Sequence, residues 1–183
     1  MKKWLIGSLV GAIIVFAWQF LSWGVLGIHS DHMKYHPQQD SIIGFLSSTI
    51  KEDGAYMLPT VAPGMSHAEE EAYMEKCLNK PWASVIYHNK FEVNMPMQIA
   101  RGFLIDLFLV FSLIYILTRA GTPTAMRIFA ASIAVGLFCF LWGPYTAHNW
   151  FALPMSMIKG DLIDAFAAWG LCGIWLGWWL NRR

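Results

Sequence analysis

Residues 4–28 read WLIGSLVGAIIVFAWQFLSWGVLGI, and nothing in that stretch carries a charge. Crossing a bilayer as a helix takes about 20 mostly apolar residues, since hydrocarbon offers no partner to a free backbone N–H or C=O. Trp4–Ile28 meets that requirement, and three further segments do the same: Ile99–Leu117, Arg127–Tyr145 and Asp161–Leu180. Lys2-Lys3 ahead of the first segment resembles the start of a signal peptide. The apolar run is much longer than the ~7–15 residues of a signal-peptide core and no small-x-small cleavage site follows, so it reads as a retained span.

The composition agrees. Of 183 residues, 56% are hydrophobic and 14% charged, with a mean hydropathy of +0.44. A soluble domain carries roughly a quarter charged residues. The ten Trp suit the two membrane interfaces, where a ring is half apolar and half wet. The net charge of +1 says nothing about nucleic acid, and with no basic patch interleaved with aromatics no nucleic-acid partner is expected. Cys77, Cys139 and Cys172 lie in separate segments with no CxxC, which argues against a disulfide framework or a thiol redox centre.

Positively charged residues gather on the cytoplasmic side of membrane proteins. With the N-terminus inside, the inner segments hold Lys2, Lys3, Arg119, Arg127, Arg182 and Arg183 and no acid. All twelve Asp and Glu, and all six His, then fall outside or in the outer half of a span. The expected fold is a mainly α, integral membrane four-helix bundle with both termini inside and a small α+β extracytoplasmic cap. Its parts are a first transmembrane helix (1–28), the cap loop (29–97) and transmembrane helices two to four (98–183).

The loop is too long to be a bare connector. Asp40-Ser41 opens a helix running to about Lys51, and Ser66-His67-Ala68-Glu69 is a capping box opening another to about Leu78. Tyr56–Leu58 before Pro59 reads as a short edge strand, and Ala83–His88 with Phe91–Asn94 as a hairpin turning at Asn89-Lys90. Such a cap is too small for a large core of its own and is expected to rest on the helices.

Three groups carry the chemistry. If the first helix continues, His29, His32 and His36 share one face, a pattern suited to zinc or copper. Pro37 works against helix at His36. Asp106, embedded in the second span with Arg101 five residues before it, is a costly intramembrane acid that needs a partner or an inward face. His148 follows the Gly143-Pro144 break, and Asp161 and Asp164 open the last span as N-cap and third residue. Asp106 with Asp161 or Asp164 would make a carboxylate pair of the kind that four-helix aspartyl signal peptidases use, but the flanking motifs of those enzymes are absent. Two haem-ligating His at suitable depth are not evident. Gly7/Gly11 and Gly173/Gly177 are small-residue pairs for close helix approach, within the bundle or against a partner.

No catalytic residue is assigned and no enzyme is expected. The first functional reading is a non-enzymatic accessory or assembly subunit whose outer cap binds a partner, a membrane protein or a second copy of itself. Its place is a bacterial inner membrane. The alternatives are an outer-face metal-binding or proton-handling protein using the His cluster and the intramembrane Asp, and a small transporter or channel unit lined by Gln19, Ser22 and Asp106.

Overall fold

The computed structural model describes residues 2–119, 121 and 123–182; Met1, Ala120, Thr122 and Arg183, the last among the cations counted above, lie outside them. The chain is mainly helical, 69% of it, with one small sheet. In order, the elements are α1 (Lys2–Gly24), α2 (Gln39–Thr49), β1 (Gly54–Leu58), α3 (His67–Cys77), β2 (Ala83–Tyr87), α4 (Met95–Arg119), α5 (Ala125–Phe140), a π-turn (Leu141–Tyr145), α6 (Thr146–Phe151) and α7 (Met155–Asn181). Four helices are long and apolar enough to cross a membrane: Lys2–Gly24, Met95–Arg119, Ala125–Phe151 and Met155–Asn181. The chain is therefore read as an integral membrane protein. It divides into two compact units, Met1–Lys34 with Asn94–Arg183, and Tyr35–Val93.

In the helical unit α7 packs on both α1 and α5, and α1 packs on α4. Glycine makes these approaches possible. A Cβ on Gly11 would lie 2.7 Å from Val110 Cγ1 and 3.2 Å from Cys172 Sγ, and one on Gly173 would lie 2.8 Å from Ser132 Cβ. Both small-residue pairs thus serve contacts inside the bundle. The tightest crossing is α5 on α7, where a Cβ on Gly136 would lie 2.2 Å from the Ala165 carbonyl oxygen. The core at these crossings is Val15, Val110, Ile114, Ile128, Cys172 and Leu176, all buried.

Several boundaries differ from the expectation, each for a local reason. The first helix stops at Gly24, and the chain turns at Gly27, whose φ of +65° suits glycine. The third span runs through Gly143-Pro144 instead of closing there. Proline lacks an N–H and crowds the carbonyl four residues back. The π-turn absorbs this, and the Thr146 hydroxyl donates to the Leu141 carbonyl at 2.8 Å. The last helix begins at Met155, directly after Pro154, so Asp161 and Asp164 are interior residues of α7 and neither cap nor third residue.

In the second unit β1 pairs antiparallel with β2, Gly54 opposite Tyr87 and Leu58 opposite Ala83. The expected hairpin between 83–88 and 91–94 does not form. Asn89-Lys90 lacks the glycine that a two-residue hairpin turn favours. Asp53 instead draws the chain toward β1: its carboxylate accepts from the Asn89 N–H at 2.9 Å and the Asn89 side-chain amide at 2.8 Å. The capping box forms as read, with the Ser66 N–H and hydroxyl donating to Glu69 Oε2 at 2.8 and 2.7 Å.

Candidate functional site at the His29 end of the helical unit

The last turns of α1 carry Trp18, Gln19, Ser22 and Trp23. Trp18 and Ser22 are four residues apart and so share a face, which meets α7 at Asp164. Trp18 Nε1 donates to Asp164 Oδ1 at 2.8 Å and the Ser22 hydroxyl donates to the same oxygen at 2.6 Å. The other oxygen, Oδ2, lies 3.0 Å from His29 Nε2, and the side chains are only 2% and 15% exposed. An ionised carboxylate only accepts, so Nε2 donates to it; a protonated Asp164 would instead donate its O–H to a bare Nε2.

Two features hold the imidazole in place. It stacks on Trp23 with ring centroids 3.8 Å apart and planes within 8°. On its other side it occupies the space above Gly160, where a Cβ would lie 2.5 Å from His29 Cε1. The missing side chain at Gly160 explains how a glycine comes to stand inside α7. His32 meets the edge of Trp23 at 5.1 Å, and its Nδ1 is buried without a partner among the described residues.

Beside this group lies a cavity of about 350 Å³, walled by α1, α5 with its π-turn, and α7. Asp161, Asp164, Gln19 and Cys139 supply its polar lining, and Trp23 and Trp169 its aromatic walls. The volume falls within the range that small ligands occupy. Asp106 is 4% exposed and faces the interior of the helical unit. Gln19 Nε2 donates to its Oδ1 at 3.2 Å, while Oδ2 has no partner among the described residues. Gln19 therefore touches both Asp106 and the cavity. Asp106 stands eleven residues into α4, about 16 Å along its axis at ~1.5 Å per residue.

The sequence candidates sort as follows. Asp164 and His29 come together, with Asp161 on the same cavity. Arg101 is exposed and makes no ion pair with Asp106 among the described residues, so Gln19 and not Arg101 is the partner. His148 Nδ1 donates to the Leu153 carbonyl at 2.5 Å, which fastens the left-handed turn at Ala152 between α6 and α7. The shared helical face expected of His29, His32 and His36 does not exist, because α1 ends at Gly24 and His36 belongs to the second unit. Among the described residues, no three His, Cys, Asp or Glu side chains gather as a zinc or copper site. Near the cluster, Asp31 lies outside the spans and accepts from Lys159 of α7 at 2.6 Å, which holds its carboxyl below the ordinary range.

Sequence reasoning missed Trp18, Trp23 and Gly160 as parts of the site. The i, i+4 spacing of Trp18 and Ser22 in an uncharged helix was the available signal. Set against known protein families, curated proteins and solved structures, the chain matches none.

Proposed function

We propose that this chain is a non-enzymatic, proton-handling protein of a bacterial inner membrane, with both termini in the cytoplasm and the His29 end of its helical unit on the outer side. The observation that carries this reading is the bond between His29 Nε2 and Asp164 Oδ2, 3.0 Å long and withdrawn from solvent beside a cavity. Ionisable groups inside spanning segments are costly, and they are characteristic of proton and solute paths. One proton shared by an imidazole and a carboxylate has two resting places, and a change in the cavity's occupant shifts the balance between them. Asp161 adds a second acid to the same wall. Asp106, reached through Gln19, is the next group inward.

Reconstitution in liposomes holding a pH-sensitive dye tests the reading. Under an imposed pH gradient, the wild-type chain should carry protons faster than Asp164→Asn and His29→Gln, each variant matched for folding by thermal unfolding. Equal rates in all three would reject proton handling.

One observation favours the partner-binding reading as a second function. In the Tyr35–Val93 unit, neither α2 nor α3 has a buried residue. Ile43, Leu46, Val85, Ile86 and Phe91 line a groove of about 880 Å³ there, and Phe91 is 97% exposed. Apolar surface of this kind marks interaction sites. Purification in mild detergent followed by mass spectrometry checks it, and a lone monomer without a reproducible companion would count against it.

A further inference from the structure

The opposite end of the helical unit carries a second polar site, independent of the Asp164 reading. There the start of α1 and the end of α7 are clasped together. Trp179 Nε1 donates to the Lys3 carbonyl at 2.7 Å, and the Lys3 ammonium donates to the Arg182 carbonyl. The Arg182 guanidinium lies over the Trp178 ring at 5.1 Å. Lys2, Lys3, Ile6, Trp179 and Arg182 line a groove of about 460 Å³. These side chains are cations converging from two helices, an indole wall and an apolar floor.

No acidic side chain stands near these cations in the sequence. No Asp or Glu occurs in residues 1–28, 107–160 or 165–183, which make up most of the four spans and the segment joining the second to the third. Lys2 and Lys3 make no ion pair among the described residues. A groove with this lining, at the end of a spanning helix pair, matches an amphiphile whose phosphate sits at membrane-headgroup depth. Arginine pairs with phosphate through two parallel N–H donors, while lysine adds a point charge. Basic pockets at the cytoplasmic ends of spanning helices bind anionic headgroups in this way. We infer that this groove is a binding site for the phosphate of an anionic phospholipid, with Lys2, Lys3 and Arg182 as the phosphate ligands and Ile6 and Trp179 against the adjoining glycerol and upper acyl chain.

The test uses the full chain in an uncharged detergent, titrated with phosphatidylglycerol, phosphatidylcholine or inorganic phosphate and read by native mass spectrometry. Phosphatidylglycerol should be retained about tenfold more strongly than phosphatidylcholine. The double variant Lys2→Gln with Arg182→Gln should lose that preference, and Lys2→Glu alone should reduce it several-fold. Lys2 has no part in the Lys3 clasp, so the single variant serves even if the double variant melts early. Arg127→Gln removes the same charge outside the groove and should change retention by less than about twofold. Three results would each overturn the inference: no preference for the anionic lipid, an equal loss in Arg127→Gln, or displacement of the lipid by millimolar inorganic phosphate.

Discussion

His29 lies flat on Trp23 and from there points Nε2 at Asp164, 3.0 Å away, although 135 residues separate the two in sequence. That bond joins the turn after the first spanning helix to the third turn of the last one. Because Asp164 also takes Trp18 and Ser22, it is the point where α1 and α7 are tied at this end.

Replacing Asp164 with Asn should therefore loosen α1 from α7. Interhelical hydrogen bonds in membranes are worth about 0.6 kcal/mol on average and about 1.7 at most. With three donors affected, a loss of about 1–2 kcal/mol is expected, and Ser22→Ala should cost less. Unfolding in mixed detergent and denaturing surfactant measures both.

Gly160 gives an orthogonal probe of the same bond. Ala at this position must push the His29 ring aside, since its Cβ would fall 2.5 Å from Cε1. Gly160→Ala should reproduce the proton-transport defect of His29→Gln with the imidazole still present. Gly44→Ala meets open space within α2 and should be neutral or stabilising by about 0.5–1 kcal/mol. Wild-type transport in Gly160→Ala would show that the ring's position does not matter.

The cavity predicts a charge preference in thiol labelling. Cys139 lines it together with Asp161 and Asp164, whereas Cys172 is fully buried. A small methanethiosulfonate bearing an ammonium group should label Cys139 several-fold faster than its sulfonate counterpart, and Asp164→Asn should narrow the gap. Cys172 should stay unlabelled until the protein unfolds. Peptide mapping by mass spectrometry reads both sites.

Acid should loosen the small sheet. The Asn89 N–H, and after it His88, hold the Asp53 carboxyl below its ordinary range. A group depressed in the folded state lends stability above its unfolded value, near ~3.9 for Asp, and that stability is lost as pH falls through the folded value. Hydrogen-exchange protection of β1 and β2 should hold at about pH 5 and drop below about pH 4. In Asp53→Asn this pH dependence should be flattened.

How much of this was legible in the sequence depended on the range of the interaction. Hydrophobic runs of bilayer length gave the four spans, and Ser66 with Glu69 gave the start of α3, since both signals are local. Glycine misled at two places. Gly160 stands just ahead of the expected N-cap Asp161, yet it is interior to α7, and an imidazole from another segment fills its side-chain space. Gly143-Pro144 reads as a stop, yet the π-turn carries the helix on. The partner of Asp106 was likewise out of reach. Arg101 was the nearest cation along the chain, but Gln19 arrives from a helix whose register against α4 is fixed by Gly11 and Val110.

The central claim is that one membrane face holds the acids and imidazoles and the other only cations. A membrane-impermeant thiol reagent applied to intact cells tests it, using native Cys77 and an Asn181→Cys variant in which Cys139 and Cys172 are replaced by Ser and Ala. The account predicts that Cys77 labels at once, and that the thiol at position 181 labels only after the membrane is opened. Labelling of both from the same side would contradict it.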